Sequence, residues 1–183
     1  MDKYRKHVKK LADAGSSELI ANGGTEHAEV LIENIFAHAN NKVRVFTGKL
    51  NARVYGSSNI VENAREFLQS DSGHKLQILV QDEEVLSTLK THELIKMCFK
   101  LNADMCEIRS VGIEDRDVDH HFVVMDEIGY RFEPDRSKPT AVACFHDAEH
   151  AELLVKSFDE MFGRGADVDI MSQPMDALTE TAH

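Results

Sequence analysis

The residues best suited to chemistry cluster in one short stretch, Asp117-Val118-Asp119-His120-His121, which runs into the apolar phrase Phe122-Val123-Val124-Met125 and ends on Asp126. A histidine pair at the entrance of a strand, with carboxylates beside it, suits proton transfer or the binding of a phosphate group. Alternate residues of a strand share a face, so Asp119 and His121 point one way and His120 the other. The Asp119 and His121 pair can orient an imidazole or hold a cation, whereas a carboxylate in that place repels an incoming phosphate. Slightly downstream, Tyr130-Arg131-Phe132-Glu133 alternates, which puts Arg131 and Glu133 on one face. Asp119, His121, Arg131 and Glu133 are the candidate ligand-binding residues.

Other groupings carry less. His146, Glu149 and His150 have helical spacing, but His146 precedes Asp147, the expected N-cap, and the His-Glu-x-x-His order is not met, so no metal site is read there. Asn22-Gly23-Gly24-Thr25 lacks both a preceding strand and the lysine of a phosphate-binding loop, and reads as a linker with Thr25 as N-cap. Lys3, Arg5, Lys6, Lys9 and Lys10 read as the solvated face of a terminal helix. Cys106 and Cys144 lie in apolar strands as small buried residues, and neither a metal nor any other cofactor is called for.

These residues need a scaffold, and the hydrophobic pattern supplies one. Residues 1–24 read as a peripheral helix and linker. Val30, Leu31, Ile35 and Phe36 then recur at helical spacing before Val43-Arg44-Val45-Phe46, a strand closed by Gly48. The order repeats: Ile60, Val61, Ala64, Phe67 and Leu68 before Leu76 to Val80, then one broken or two consecutive helices over Val85 to Phe99 before a short strand at Met105 to Arg109. Helix and strand in alternation predict crossovers and parallel pairing. From residue 122 onward the runs Phe122 to Met125, Tyr130 to Glu133 and Ala141 to Phe145 have short connections and predict an antiparallel meander. The last helix starts at Asp147, carries Ala151, Leu154, Val155, Phe158, Met161 and Phe162 on one face, and ends at Gly163. Residues 164–183 read as a polar tail. The expected fold class is α/β, a mixed and mainly parallel sheet flanked by helices on both faces. Its interior strands are Val43 to Phe46, Leu76 to Val80, Phe122 to Met125 and Ala141 to Phe145.

This order of elements, with the phrases Val43 to Gly48, Lys75 to Val80, His121 to Asp126 and Ala141 to Phe162, resembles the phospholipase D-like superfamily over residues 25–163. The resemblance implies a single copy of a fold whose one-copy members pair as homodimers, with the segment Asp119 to Asp126 near the two-fold axis. It also implies a His-x-Lys-x4-Asp signature on that segment. With Asp126 as its aspartate, the nucleophile position holds Asp119 and the lysine position His121. Starting at His120 instead puts Phe122 at the lysine position, and starting at His121 puts Val123 there. No register supplies all three residues. A Gly-Ser-x-Asn phrase is absent after Asp126, and Gly56-Ser57-Ser58-Asn59 lies upstream.

The expected function is therefore a non-hydrolytic binding or assembly module that keeps affinity for a phosphate-containing ligand or engages a protein partner. The alternative is a phosphodiesterase or nuclease with a rearranged dimeric site that uses His120 or His121 as nucleophile or general acid, with Asp126 as the further catalytic candidate. Composition narrows the field further. The chain has 183 residues, 32 acidic against 21 basic, a net charge of -11 and 42% hydrophobic residues, as expected of one soluble domain. Its acidity disfavours nucleic acid as a partner. Three cysteines without close pairs argue for a reducing, cytoplasmic setting. No apolar run is long enough to span a membrane, and the basic start is not followed by the apolar stretch of a signal peptide.

Overall fold

Residues 1–101, 103–138 and 140–168 are described in a computed structural model of the chain. They run α1 (Asp2–Asp13), β1 (Ile20–Asn22), α2 (Thr25–His38), β2 (Lys42–Thr47), α3 (Ala52–Tyr55), α4 (Ser58–Ser70), β3 (Lys75–Val80), α5 (Glu93–Leu101), β4 (Cys106–Ser110), β5 (His121–Met125), β6 (Gly129–Glu133), β7 (Ala141–Cys144), α6 (Ala148–Arg164) and β8 (Ala166–Asp167). A 3-10 segment at Glu83–Thr91 precedes α5, so the helical stretch after β3 is two consecutive pieces. All four runs expected as interior strands are strands of one eight-stranded sheet, ordered β1-β7-β6-β5-β2-β3-β4-β8.

The sheet is mixed, as expected, but mostly antiparallel. Only β2 with β3 and β3 with β4 pair in parallel among the described strands. Parallel neighbours need a crossover long enough to carry the chain back across the sheet, and only α4 and the 83–101 stretch provide one between adjacent strands. The helix α2 also joins two strands, but it delivers β1 to an edge and β2 to the middle. The strand β5 enters from the opposite end and pairs antiparallel with β2, Val45 facing Val123 and Phe46 facing Phe122.

Alternation along the strands sorts the core into two layers. Val43, Val45, Ile78, Val123 and Met125 pack beneath α2, α4 and α5. Phe46, Leu79, Phe122 and Val124 pack on the other side against Ala151, Val155, Phe158, Met161 and Phe162 of α6. The cap of α6 is the expected one, since the Asp147 side chain accepts the His150 backbone N–H at 3.3 Å. Glycine at 24, rather than Thr25, occupies the cap of α2.

Two boundary expectations change. The segment 1–24 is tied into the domain: Val8, Leu11 and Ala12 of α1 are buried, Arg5 pairs with Glu33 of α2, and Ile20–Asn22 is an edge strand on β7. The segment expected as a tail begins as structure, because α6 continues through Arg164 and Ala166–Asp167 pairs with Ser110 and Arg109 of β4. The rest of that tail, from residue 169, lies outside the described residues.

Candidate functional site

A cleft of about 640 Å³ opens where the carboxyl ends of β2 and β3 meet the start of β5 and the end of β6. Sheets of this kind leave a crevice where neighbouring strands change direction, and β2 has a parallel neighbour, β3, on one side and an antiparallel one, β5, on the other. The β5 and β6 register sets His121 opposite Glu133, with Arg131 two residues away on the same face. The turns after β2 and β3 contribute Gly48, Lys49, Gln81 and Asp82; the start of α2 contributes Thr25, α3 contributes Tyr55, and the loop after β6 contributes Arg136 and Lys138. Gly48 lets the turn after β2 come close to His121, since a Cβ there would stand 3.1 Å from Cε1 of the ring, closer than ordinary van der Waals contact.

Among the charged residues lining the cleft, four are cations, Lys49, Arg131, Arg136 and Lys138, and two are carboxylates, Asp82 and Glu133. A chain of net charge -11 thus lines this cleft with an excess of positive charge. The lysines are partly neutralised, Lys49 by Asp82 at 3.2 Å and Lys138 by Asp135 at 2.6 Å. The arginines retain free donors. Arg131, only 4% exposed, gives its Nε to Asn22 Oδ1 at 2.8 Å and one Nη to Glu133 Oε1 at 2.7 Å, leaving the other Nη without a hydrogen bond among the described residues. Arg136 gives one Nη to Gln81 Oε1 at 2.7 Å and to the Arg116 carbonyl at 3.3 Å, and its other Nη is likewise unengaged there. The Tyr55 hydroxyl, on a side chain 6% exposed, has no hydrogen bond among the described residues, and burial raises its pKa.

His121 is held neutral. Burial drives its pKa down from 6.5 to about 4, against the pull of Glu133 and with the help of Arg136, His120 and Arg131. Between these values the unfolded chain binds the proton and the folded one does not. The stability gained from the neutral ring is therefore complete above pH 6.5 and is lost as the pH falls through about 4. An NMR titration is expected to find the His121 ring neutral at about pH 5.5, with its midpoint near 4; a midpoint near 6.5 would contradict the burial.

The structure separates the sequence candidates into two groups. His121, Arg131 and Glu133 meet in the cleft. Asp119 is exposed on the loop before β5, where its carbonyl accepts the Arg136 backbone N–H at 2.6 Å, and it does not line the cleft. His120 points to the opposite face, against Phe46, Phe122 and Phe132, and burial lowers its pKa. Asp126 is at the far end of β5. Its backbone takes a left-handed φ of 52° and its carboxylate accepts the N–H groups of Asn40, Asn41 and Lys42 at 2.8 to 3.0 Å. A strand rises about 3.3 Å per residue, so five residues put Asp126 roughly 16 Å from His121. The signature spacing therefore places no aspartate in the cleft.

The sequence reading missed Asn22, Gln81, Tyr55 and Arg136. One usable signal was present, because residues just past the carboxyl ends of adjacent parallel strands border such crevices, which picks out Lys49, Gln81 and Asp82. Tyr55 and Arg136 reach the cleft only through the packing of α3 and the 134–138 loop, and Asn22 reaches Arg131 only through the pairing of β1.

The fold is phospholipase D-like. The chain superposes on a phospholipase D family member, Nuc, from Salmonella typhimurium with a TM-score of 0.57, at 13% identity, over 82% of this chain and 98% of that one. NucT from Helicobacter pylori gives 0.54, at 10% identity, over 82% and 99%. TrmBL2, an archaeal chromatin protein whose structure shows a novel mode of DNA binding, gives 0.60 at 16% identity, over 91% of this chain; this chain spans 62% of its length. These likenesses are of fold. No curated protein matches the sequence. No helix among the described residues is long and apolar enough to cross a membrane. Residues 24–170 match the family described as a domain of unknown function, DUF7931, and the chain belongs to that family.

Proposed function

We propose that this protein is a binding module on a phospholipase D-like fold, holding a phosphate-containing ligand in the cleft around His121 without hydrolysing it. The observation that carries this reading is the excess of cationic side chains in a cleft of an otherwise acidic chain. Arginine edges with free N–H groups suit phosphate oxygens, and enclosure strengthens the attraction. Hydrolysis through a phosphohistidine would require a lysine beside the nucleophile on the cleft face of β5. Two residues beyond His121 stands Val123, which is packed in the core under α2. The archaeal neighbour's DNA binding is not carried over, since duplex binding draws on many phosphate contacts and this chain has a net charge of -11. The homodimer implied by the single copy of the fold is part of the proposal.

The test uses the full chain with EDTA present and absent. Methyl phosphate is expected to bind saturably, bis(p-nitrophenyl) phosphate and single- and double-stranded nucleic acid are expected to stay intact, and light scattering is expected to return a dimer mass. His121→Ala is expected to alter binding and not turnover. A metal-independent hydrolysis that disappears in a folded His121→Ala variant overturns the reading in favour of a rearranged phosphodiesterase.

A further inference from the structure

Gln81 decides which edge of the His121 ring is left for a ligand. Its Nε2 donates to the carbonyls of Val118 at 2.8 Å and Asp115 at 3.2 Å, so the amide can sit only one way round. Its Oε1 then accepts from Arg136 at 2.7 Å, and His121 Nε2 lies 3.0 Å from the same oxygen. Facing an acceptor, Nε2 must carry the hydrogen. Since the ring is neutral, Nδ1 is a bare lone pair. It stands 3.8 Å from Oε2 of Glu133, too far for a hydrogen bond, and a carboxylate oxygen has no proton to offer. The other Glu133 oxygen is occupied by Arg131 at 2.7 Å.

The cleft therefore presents two unfilled acceptors side by side, next to arginine edges that are unfilled donors. A bare phosphate answers the donors and leaves the acceptors facing its own negative oxygens. An ammonium would answer the acceptors but stand among Arg131, Arg136 and Lys138. Hydroxyl groups donate without adding charge. We infer that the ligand is a phosphorylated polyol, a phosphate monoester whose carbon skeleton carries neighbouring hydroxyls: the phosphate is held by the arginines, one hydroxyl donates to His121 Nδ1 and another to Glu133 Oε2. This inference rests on the phosphate reading above and narrows it to a ligand class. Gln81 is in this account a positioning residue that sets the tautomer.

Calorimetric titration of the full chain with methyl phosphate, glycerol 3-phosphate, glucose 6-phosphate and unphosphorylated glucose, all in EDTA, tests it. At least one hydroxyl-bearing phosphate is expected to bind about tenfold or more tightly than methyl phosphate, because two acceptors are left unpaired by the latter. In Glu133→Gln the selectivity ratio is expected to fall towards one. In the wild type, 15N shifts are expected to report a protonated Nε2 and a bare Nδ1 whose resonance moves with the polyol phosphate. Equal affinity for all the phosphates overturns the polyol inference and leaves the phosphate reading standing. Binding of none of them overturns the phosphate reading itself, and glucose binding as well as glucose 6-phosphate shows that the anion is not recognised. A protonated Nδ1 in the free protein overturns the tautomer argument directly.

Discussion

Replacing Arg131 with methionine is expected to lower stability by about 3 kcal/mol and to weaken phosphate binding at least about tenfold. Arg131 is 4% exposed and ties β1 to β6 across the intervening β7, bonding Asn22 of β1 and Glu133 of its own strand β6. Methionine fills much of the same volume, so the loss is chiefly electrostatic. It leaves the Asn22 oxygen without its donor and the Glu133 carboxylate without its counter-charge, and the cation nearest the buried floor of the cleft is gone. Glu133 keeps some contact with water, its side chain being 23% exposed, which holds the figure to the lower end for a broken buried pair. In a chain of this size the midpoint of thermal unfolding is expected to drop by roughly 10 °C. Unfolding curves and methyl phosphate titrations on the same sample separate the two effects. A variant with wild-type affinity would show that the arginine is structural and that the anion sits elsewhere.

Asp126→Ala is expected to cost about 2 to 3 kcal/mol of stability while the folded protein binds methyl phosphate as the wild type does. One carboxylate serves three successive backbone N–H groups at the start of β2, as a helix N-cap serves its first turn. Alanine at this position loses those bonds and also tolerates the φ of 52° less well than aspartate, which favours the left-handed region. The residue stands at the place of a signature aspartate, so the outcome bears on function. A loss of binding without a loss of stability would mean that the far end of β5 communicates with the cleft after all.

Much of the fold was legible because it is written in short-range pattern. The runs at 43–46, 76–80, 122–125 and 141–145 are apolar and bounded by turn residues, and each became a strand. The stripe from Ala151 to Phe162 became the helix covering one face. Strand direction was less legible. Helical segments precede β2, β3 and β4 alike, yet only the last two are crossovers between adjacent strands, and the choice depends on where the whole sheet has room for the next strand. Likewise Ile20-Ala21-Asn22 is too short to declare itself a strand and exists as one because β7 offers an unpaired edge.

The site divides along the same line. Strand alternation by itself determines that His120 and His121 face opposite ways and that Arg131 and Glu133 face together, since that depends only on the period of two. Sequence alone also determines that no histidine and lysine stand two apart on the 119–126 segment. Only the tertiary structure decided that His121 faces Glu133 across a ladder, that its Nε2 lies against the Gln81 oxygen that Arg136 also engages, and that Asn22, some 109 residues away in the chain, holds Arg131. The reason is physical: hydrogen bonds and ion pairs between distant segments are set by which strands become neighbours, and that choice is made by the packing of the whole core rather than by any local run of residues.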